Sequence, residues 1–249
     1  MKAILLLTGC INPNGMTFTS LNNPEEREKQ YIYAILFYLK ETNLPIVFSE
    51  NSGTDISHYF KKHIKSGRLE CLTFNGNNKK ERGKGYGECE IIRNALKNSR
   101  IILSNANYRI IKITGRLIIK NIYKIIQIHS FLSSKETTFC MINSDLSFPD
   151  SRIIMANIEF YRTFLEYQER IDDSKGYYFE HALCDLIKDD CRYPFSPFFI
   201  HPKIIGMSGS TGEQYPNEPS TLTFSIRYAK FAASQLLRFK KLYRQNQKL

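Results

Sequence analysis

Lys112-Ile113-Thr114-Gly115-Arg116 closes a strand-like run in a glycine turn with a cation on either side. Two positive charges, a threonine hydroxyl and the free amides of the turn make a good cradle for a diphosphate. The plainer reading is a strand end with solvated charges. Upstream, Gly83-Lys84-Gly85-Tyr86-Gly87 sits between a strand and a helix expected from Glu88 to Asn98. Backbone amides and the positive end of a helix favour an anion there. The run lacks the Gly-Lys-Ser/Thr of a Walker A loop and does not fit GxGxxG. A mobile surface loop is an even alternative. Glu88 suits the helix dipole but competes with a phosphate.

Three carboxylates could add acid–base or metal chemistry. Asp145 and Asp150, in "NSDLSFPDSR", follow a strand and are spaced so that they could hold a divalent metal. Helix capping before Arg152 is an equal reading of Asp150. Glu180 follows Tyr177, Tyr178 and Phe179 at a helix start, a setting that raises a carboxyl toward the range of a general base. An ordinary first-turn acid competes with that role. His201 is read as structural, and "GMSGSTG" after it as a loop able to close over a ligand.

These residues need a frame. "KAILLLTG" reads as a buried first strand that ends at Thr8 and Gly9, and Pro24-Glu25-Glu26 starts a helix that runs to about Thr42. Strand patterns follow at "LPIVFSEN", "RLECLTF", "RIIKITG" and "TTFCMIN". Helix patterns lie between them, with a short one over 117–128, a long amphipathic one over 152–171 and another in "YYFEHALCDLIKDD". Alternation of this kind means a mostly parallel sheet with helices on both faces. Ligands then bind beyond the carboxyl ends of the strands, so the loops after Leu7, Phe48, Phe74 and Ile113 should line one crevice.

The whole chain adds bounds. Its 249 residues suffice for a core without disulfides or metal, and its net charge of +11 suits an anionic partner. The six cysteines show no zinc spacing and read as buried thiols of a reducing cytoplasm. No apolar run is long enough to span a bilayer. From Thr221 to Leu249 there is no acidic residue, and Arg227, Lys230, Arg238, Lys240, Lys241, Arg244 and Lys248 alternate with an apolar face. Such a helix could rest on anionic lipid; packing on the domain is its rival.

The order of "LLLTGCINPN", "EREKQYIYAILFYL", "GKGYGE", "KITGR" and "FPDSR" resembles bacterial capsule and O-antigen polysaccharide glycosyltransferases of GT-A-like fold. The resemblance implies a Rossmann-type α/β domain over 1–220 and a basic amphipathic helix over 221–249. It implies an inverting sugar transferase that takes a nucleotide-sugar donor to a lipid-linked glycan acceptor. The place is the cytoplasm, on the inner face of the membrane. Glu180 or Asp150 would act as base. Thr8, Gly9, Lys84, Gly85, Lys112, Thr114, Gly115, Arg116, Asp145 and Arg152 would hold the donor. "KITGR" stands where that group carries an acidic metal motif. The cations could therefore replace a metal, or Asp145 and Asp150 could hold Mn2+ or Mg2+. A basic nucleic-acid-binding protein and a non-catalytic sugar-binding or scaffold subunit are the alternatives. The first lacks any recognisable module.

Overall fold

The computed structural model describes residues 2–16, 19–132, 136–215 and 221–246. The elements run, in order, as β1 (Ala3–Gly9), α1 (Pro24–Glu41), β2 (Ile46–Glu50), α2 (Lys61–Lys65), β3 (Leu69–Thr73), α3 (Lys84–Asn98), α4 (Arg100–Leu103) and β4 (Arg109–Thr114). They continue as β5 (Ile118–Ile119), α5 (Ile122–Leu132), β6 (Thr138–Ile142), β7 (Pro149–Ala156), α6 (Ile158–Phe164), α7 (Phe179–Asp189), β8 (Phe195–Ser196), β9 (Ile204–Ile205) and α8 (Leu222–Asn246). Among the described residues, seven strands form one sheet in the order β3-β2-β1-β4-β7-β6-β8. β7 alone runs against its neighbours. The other pairings are parallel.

This is the mostly parallel α/β sheet with helices on both faces that the alternating pattern implies, and it is consistent with the GT-A-like fold that the resemblance implies. Every residue of β1 is buried, because both faces are covered. Ile4 and Leu6 pack with Cys89, Ile92 and Ala95 of α3 on one side. Leu5 and Leu7 pack with Tyr31, Ile35 and Tyr38 of α1 on the other. Asn23 caps α1 by accepting from the amides of Glu25 and Glu26, with Pro24 in the first turn.

Three expected elements differ. α3 begins at Lys84, four residues before the expected start, so Gly85 and Gly87 lie inside a helix. The glycines answer to crowding and not to mobility. A Cβ at Gly85 would lie 2.8 Å from Ile171 Cγ2, and one at Gly87 would lie 2.8 Å from Asn77 Oδ1. Gly83 has φ +90°, a conformation that favours glycine. The long helix expected over 152–171 is instead β7, then α6 and a 3-10 segment over 165–170. Ile153, Ile154 and Met155 form a continuous apolar run in an interior strand, which periodicity alone does not separate from a buried helix. The short helix expected over 117–128 is displaced to α5, after the two-residue strand β5.

α8 docks on the outer strands. Phe239 is fully buried, with its ring centroid 4.2 Å from that of Phe195. Gln235 donates to the Ile142 carbonyl at 2.6 Å, and the Tyr243 hydroxyl donates to the Ile187 carbonyl at 2.6 Å. The rival reading, packing on the domain, thus accounts for Phe239, Gln235 and Tyr243, while Leu237 on the expected lipid-facing side is 67% exposed. Lys248 lies outside the described residues. Among them, no helix is long and apolar enough to cross a membrane.

Candidate functional site

The order 3-2-1-4 makes the carboxyl ends of β1 and β4 the point where successive crossovers part. There the Gly115 amide donates to the Thr8 carbonyl at 2.8 Å, and a Cβ on Gly115 would stand 2.7 Å from that same oxygen. The turn in "KITGR" is thus a close backbone approach that only glycine allows. It carries Arg116 across the strand ends. A cavity of about 510 Å³ opens there, lined by Lys84, Glu88, Thr114, Arg116, Arg152 and Glu180 among others. A smaller one of about 100 Å³ continues under the β1 end past Thr8, Gly9 and Arg27.

The two cations of "KITGR" have different fates. Lys112 is 1% exposed, forms an ion pair with Glu88 and donates to the Ser151 carbonyl at 2.8 Å. Glu88 Oε1 also accepts from the Thr8 hydroxyl at 2.7 Å. Lys112 therefore ties β1, α3, β4 and β7 together and is neutralised in place. Arg116 is 8% exposed and forms no ion pair among the described residues. Its Nη1 donates to Gln30 Oε1 and to the Met207 carbonyl, each at 3.1 Å, and its Nε is buried with no partner.

A second cation of this kind was not singled out from sequence. Arg27 projects from α1, is 5% exposed, and donates to the carbonyls of Cys10 (2.8 Å) and Leu21 (3.0 Å). It too forms no ion pair among the described residues. The signal was present: Arg27, Tyr31, Ala34, Ile35 and Tyr38 are the inward stripe of α1, and a lone arginine in such a stripe is conspicuous. Lys84 joins them from the start of α3. Its ammonium is pushed down by burial first and by the nearby Arg116 and Arg27 as well, against the pull of Asp173. It reaches Ser210 of the 206–215 loop.

The amides expected to hold an anion at the start of α3 are engaged. The Gly85 amide donates to Asp173 Oδ2 at 3.3 Å, and the Gly83 amide donates to the Lys80 carbonyl at 3.1 Å. Asp173 Oδ1 is buried without a partner, and burial pushes the carboxyl up.

The acidic residues do not form a metal pair. Asp145 lies in an exposed turn and accepts from the Ser147 amide at 2.9 Å. Asp150 is in β7, not at a helix cap, and binds the Arg152 guanidinium through both oxygens at 2.6–3.0 Å. Arg152 also lies 4.5 Å from the Tyr215 ring centroid. Among the described residues, no group of three His, Cys, Asp or Glu side chains is placed to hold a metal. Glu180 accepts from the Ser151 hydroxyl at 2.5 Å. Burial raises its carboxyl, against the lowering by that hydrogen bond. With Asp150, Arg152, Phe148, His201 and Tyr215 it borders a further cavity of about 630 Å³.

The cavities lie side by side and share lining residues. At the far end, about 280 Å³ is lined by Asn12, Asn51, Asn75 and Asn77 with Ser52 and Lys80. Asn51 is shared with the 100 Å³ cavity, Lys84 and Arg116 link that to the 510 Å³ cavity, and Arg152 and Glu180 link this to the 630 Å³ one.

No protein-family model and no curated protein matches the chain. Solved structures do. HddC from Yersinia pseudotuberculosis is 17% identical, with 82% of this chain and 93% of that one covered and a TM-score of 0.45. A cytidylyltransferase from Leptospira borgpetersenii is 11% identical over 99% and 96%, with a TM-score of 0.43. The CTP:phosphocholine cytidylyltransferase LicC of Streptococcus pneumoniae is 12% identical over 92% and 97%, at 0.41. At these identities the likeness is one of fold. None of the three is named as a capsule or O-antigen glycosyltransferase, and two are named as cytidylyltransferases. The family resemblance and the transfer of sugar to a lipid-linked glycan are corrected accordingly. The motifs behind them also changed character: "GKGYGE" is helix, and "FPDSR" opens a strand.

Proposed function

We propose that the chain is an enzyme that transfers a nucleotidyl group from a nucleoside triphosphate to a small phosphorylated acceptor. One observation carries the reading: Arg27 and Arg116 are buried at the strand ends with no ion-pair partner among the described residues. A buried charge without a partner costs several kcal/mol. A polyphosphate placed between these two residues and Lys84 supplies the missing negative charge with charge-assisted hydrogen bonds.

In this reading the triphosphate lies across the 100 and 510 Å³ cavities and the acceptor in the 630 Å³ one. An oxygen of the acceptor phosphate bonds to the α-phosphorus as the bond from that phosphorus to the bridging oxygen breaks. Pyrophosphate leaves, its charge met by Arg27, Lys84 and Arg116. The attacking phosphate is already anionic, so no base is needed. Glu180 and Asp150 then orient the acceptor's hydroxyls, while Thr8, Gly9, Thr114 and Gly115 shape the floor, Lys112 fixes Glu88, and Gly85 and Arg152 border the two ends. Asp145 lies outside this arrangement. A divalent ion that travels with the triphosphate would meet Glu88 and Asp173, the carboxylates beside the cations; the orphaned Asp173 Oδ1 fits that use. The elements from β1 to β9 hold the substrates and α8 braces the outer strands. Such an enzyme works in the cytoplasm, where nucleoside triphosphates are.

The test is pyrophosphate release from each nucleoside triphosphate with a panel of sugar and alcohol phosphates and magnesium. Cytidylyl transfer, named for two of the proteins that share the fold, is the first reaction to try. If no triphosphate and no pyrophosphate binds, the reading is wrong.

A further inference from the structure

Asn51 follows β2 and separates the asparagine-lined cavity from the cations. It is 1% exposed. Its backbone amide donates to the Gly9 carbonyl at 3.1 Å and its carbonyl accepts from the Gly76 amide at 2.9 Å. The side chain is thereby held between the loops that follow β1, β2 and β3. Its Nδ2 donates to Asn77 Oδ1 at 2.7 Å and to the Gly87 carbonyl at 3.4 Å. The Gly87 carbonyl can only accept, so the amide cannot be turned over without setting oxygen against oxygen. Its Oδ1 is left buried with no partner.

Buried acceptors in a finished core are met by a donor. Here the residue that carries the acceptor lines two cavities, and the 280 Å³ one has room for a heterocyclic ring. The glycine at 87 matters to this arrangement. A Cβ there would stand 3.3 Å from Asn51 Nδ2 as well as against Asn77. The amide pair therefore depends on a residue without a side chain in the first turn of α3.

On the nucleotide reading above, we propose that the asparagine-lined cavity takes the base and that Asn51 Oδ1 selects bases with an exocyclic amino group. Asn51's own donor is already used within the protein, so it offers a ligand only an acceptor. Cytosine and adenine present an amino hydrogen to it. Uracil and hypoxanthine present a carbonyl at the same edge, which repels it.

Calorimetric titration of the intact protein with CTP against UTP, and ATP against ITP, tests this. The amino member of each pair should bind roughly 5- to 150-fold tighter, the range expected for leaving one buried acceptor unmet. In Asn51→Leu the CTP/UTP ratio should fall toward one while pyrophosphate still binds. Asn51→Ser gives the same readout if the leucine variant does not fold. Equal binding of CTP and UTP by the parent overturns the proposal and leaves the nucleotide reading standing. A ratio unchanged in a folded Asn51 variant also overturns it. Failure of every nucleotide to bind overturns both ideas together.

Discussion

Replacing Arg116 by methionine separates a ligand-binding charge from a structural one. In the free protein the change removes two hydrogen bonds of Nη1, to Gln30 and to Met207. As hydrogen bonds to a charged group these contribute about 1.5–3 kcal/mol each. It also removes a charge that is 8% exposed, with an orphaned Nε and no ion pair among the described residues, and burying such a charge costs several kcal/mol. The two effects oppose each other, so the variant should be about as stable as the parent. Binding of pyrophosphate or of a triphosphate has no such compensation. Hydrogen bonds to charged groups are worth about 1.5–3 kcal/mol, so affinity should fall roughly 10- to 150-fold. Arg116→Lys should fall between, because an ammonium keeps the charge but cannot reach Gln30, Met207 and a phosphate together. Calorimetric titration at two salt concentrations and a thermal melt measure both halves. A folded Arg116→Met protein that binds pyrophosphate as tightly as the parent would refute the argument. So would a variant destabilised by several kcal/mol, since Arg116 would then be a structural strut.

Lys112→Met leaves Glu88 beside the sheet without its cation and should cost about 3–5 kcal/mol, with Glu88→Gln recovering part of it in a double-mutant cycle; additive losses would mean that the ion pair is not the link. His129 is fully buried, with Nδ1 2.7 Å from the Ile125 carbonyl and Nε2 accepting from the Phe199 amide, and burial holds its pKa down at about 4. The folded state thus binds the imidazole proton more weakly than the unfolded chain does. Its contribution is full above the ordinary value near 6.5 and is lost as pH falls through 4, about 3 kcal/mol in all. Denaturant melts across this pH range should show the acid limb in the parent and a smaller one in His129→Gln, and an unchanged acid limb in the variant counts against it. Phe239→Ala should cost about 3–5 kcal/mol, since the ring is fully buried against Phe195; a cost near zero would free α8 from the core and reopen a surface role.

The alternation of elements, the buried first strand, the capped start of α1 and the crevice at the strand ends were legible because each depends on local pattern. β7 was not. An interior strand covered on both faces carries the same apolar run as a buried helix, and only its pairing with β4 and β6 decides between them. The glycines of "GKGYG" misled for a related reason. Glycine signals either a mobile turn or a close approach, and Asp173, Ile171 and Asn77, which force the second, are distant in sequence or in a separate loop.

The site shows the same division in its charges. A sequence says which side chains are cationic but not which are already neutralised. Lys112 and Arg116 look equivalent in "KITGR", four residues apart at one strand end. The fold gives Lys112 to Glu88 and Arg152 to Asp150, and it leaves Arg116 and the unforeseen Arg27 buried without an ion pair among the described residues. Folding alone would not retain such an arrangement, because methionine or leucine would fill the same space without the desolvation cost. On the proposed reading, an anion that arrives from solution makes it stable in use. The orphaned atoms near these cations, Arg116 Nε, Asp173 Oδ1 and Asn51 Oδ1, then have a common explanation. On that reading, each is a group whose partner would belong to the substrate: a phosphate oxygen for the first, a metal on the phosphates for the second and an amino hydrogen of the base for the third.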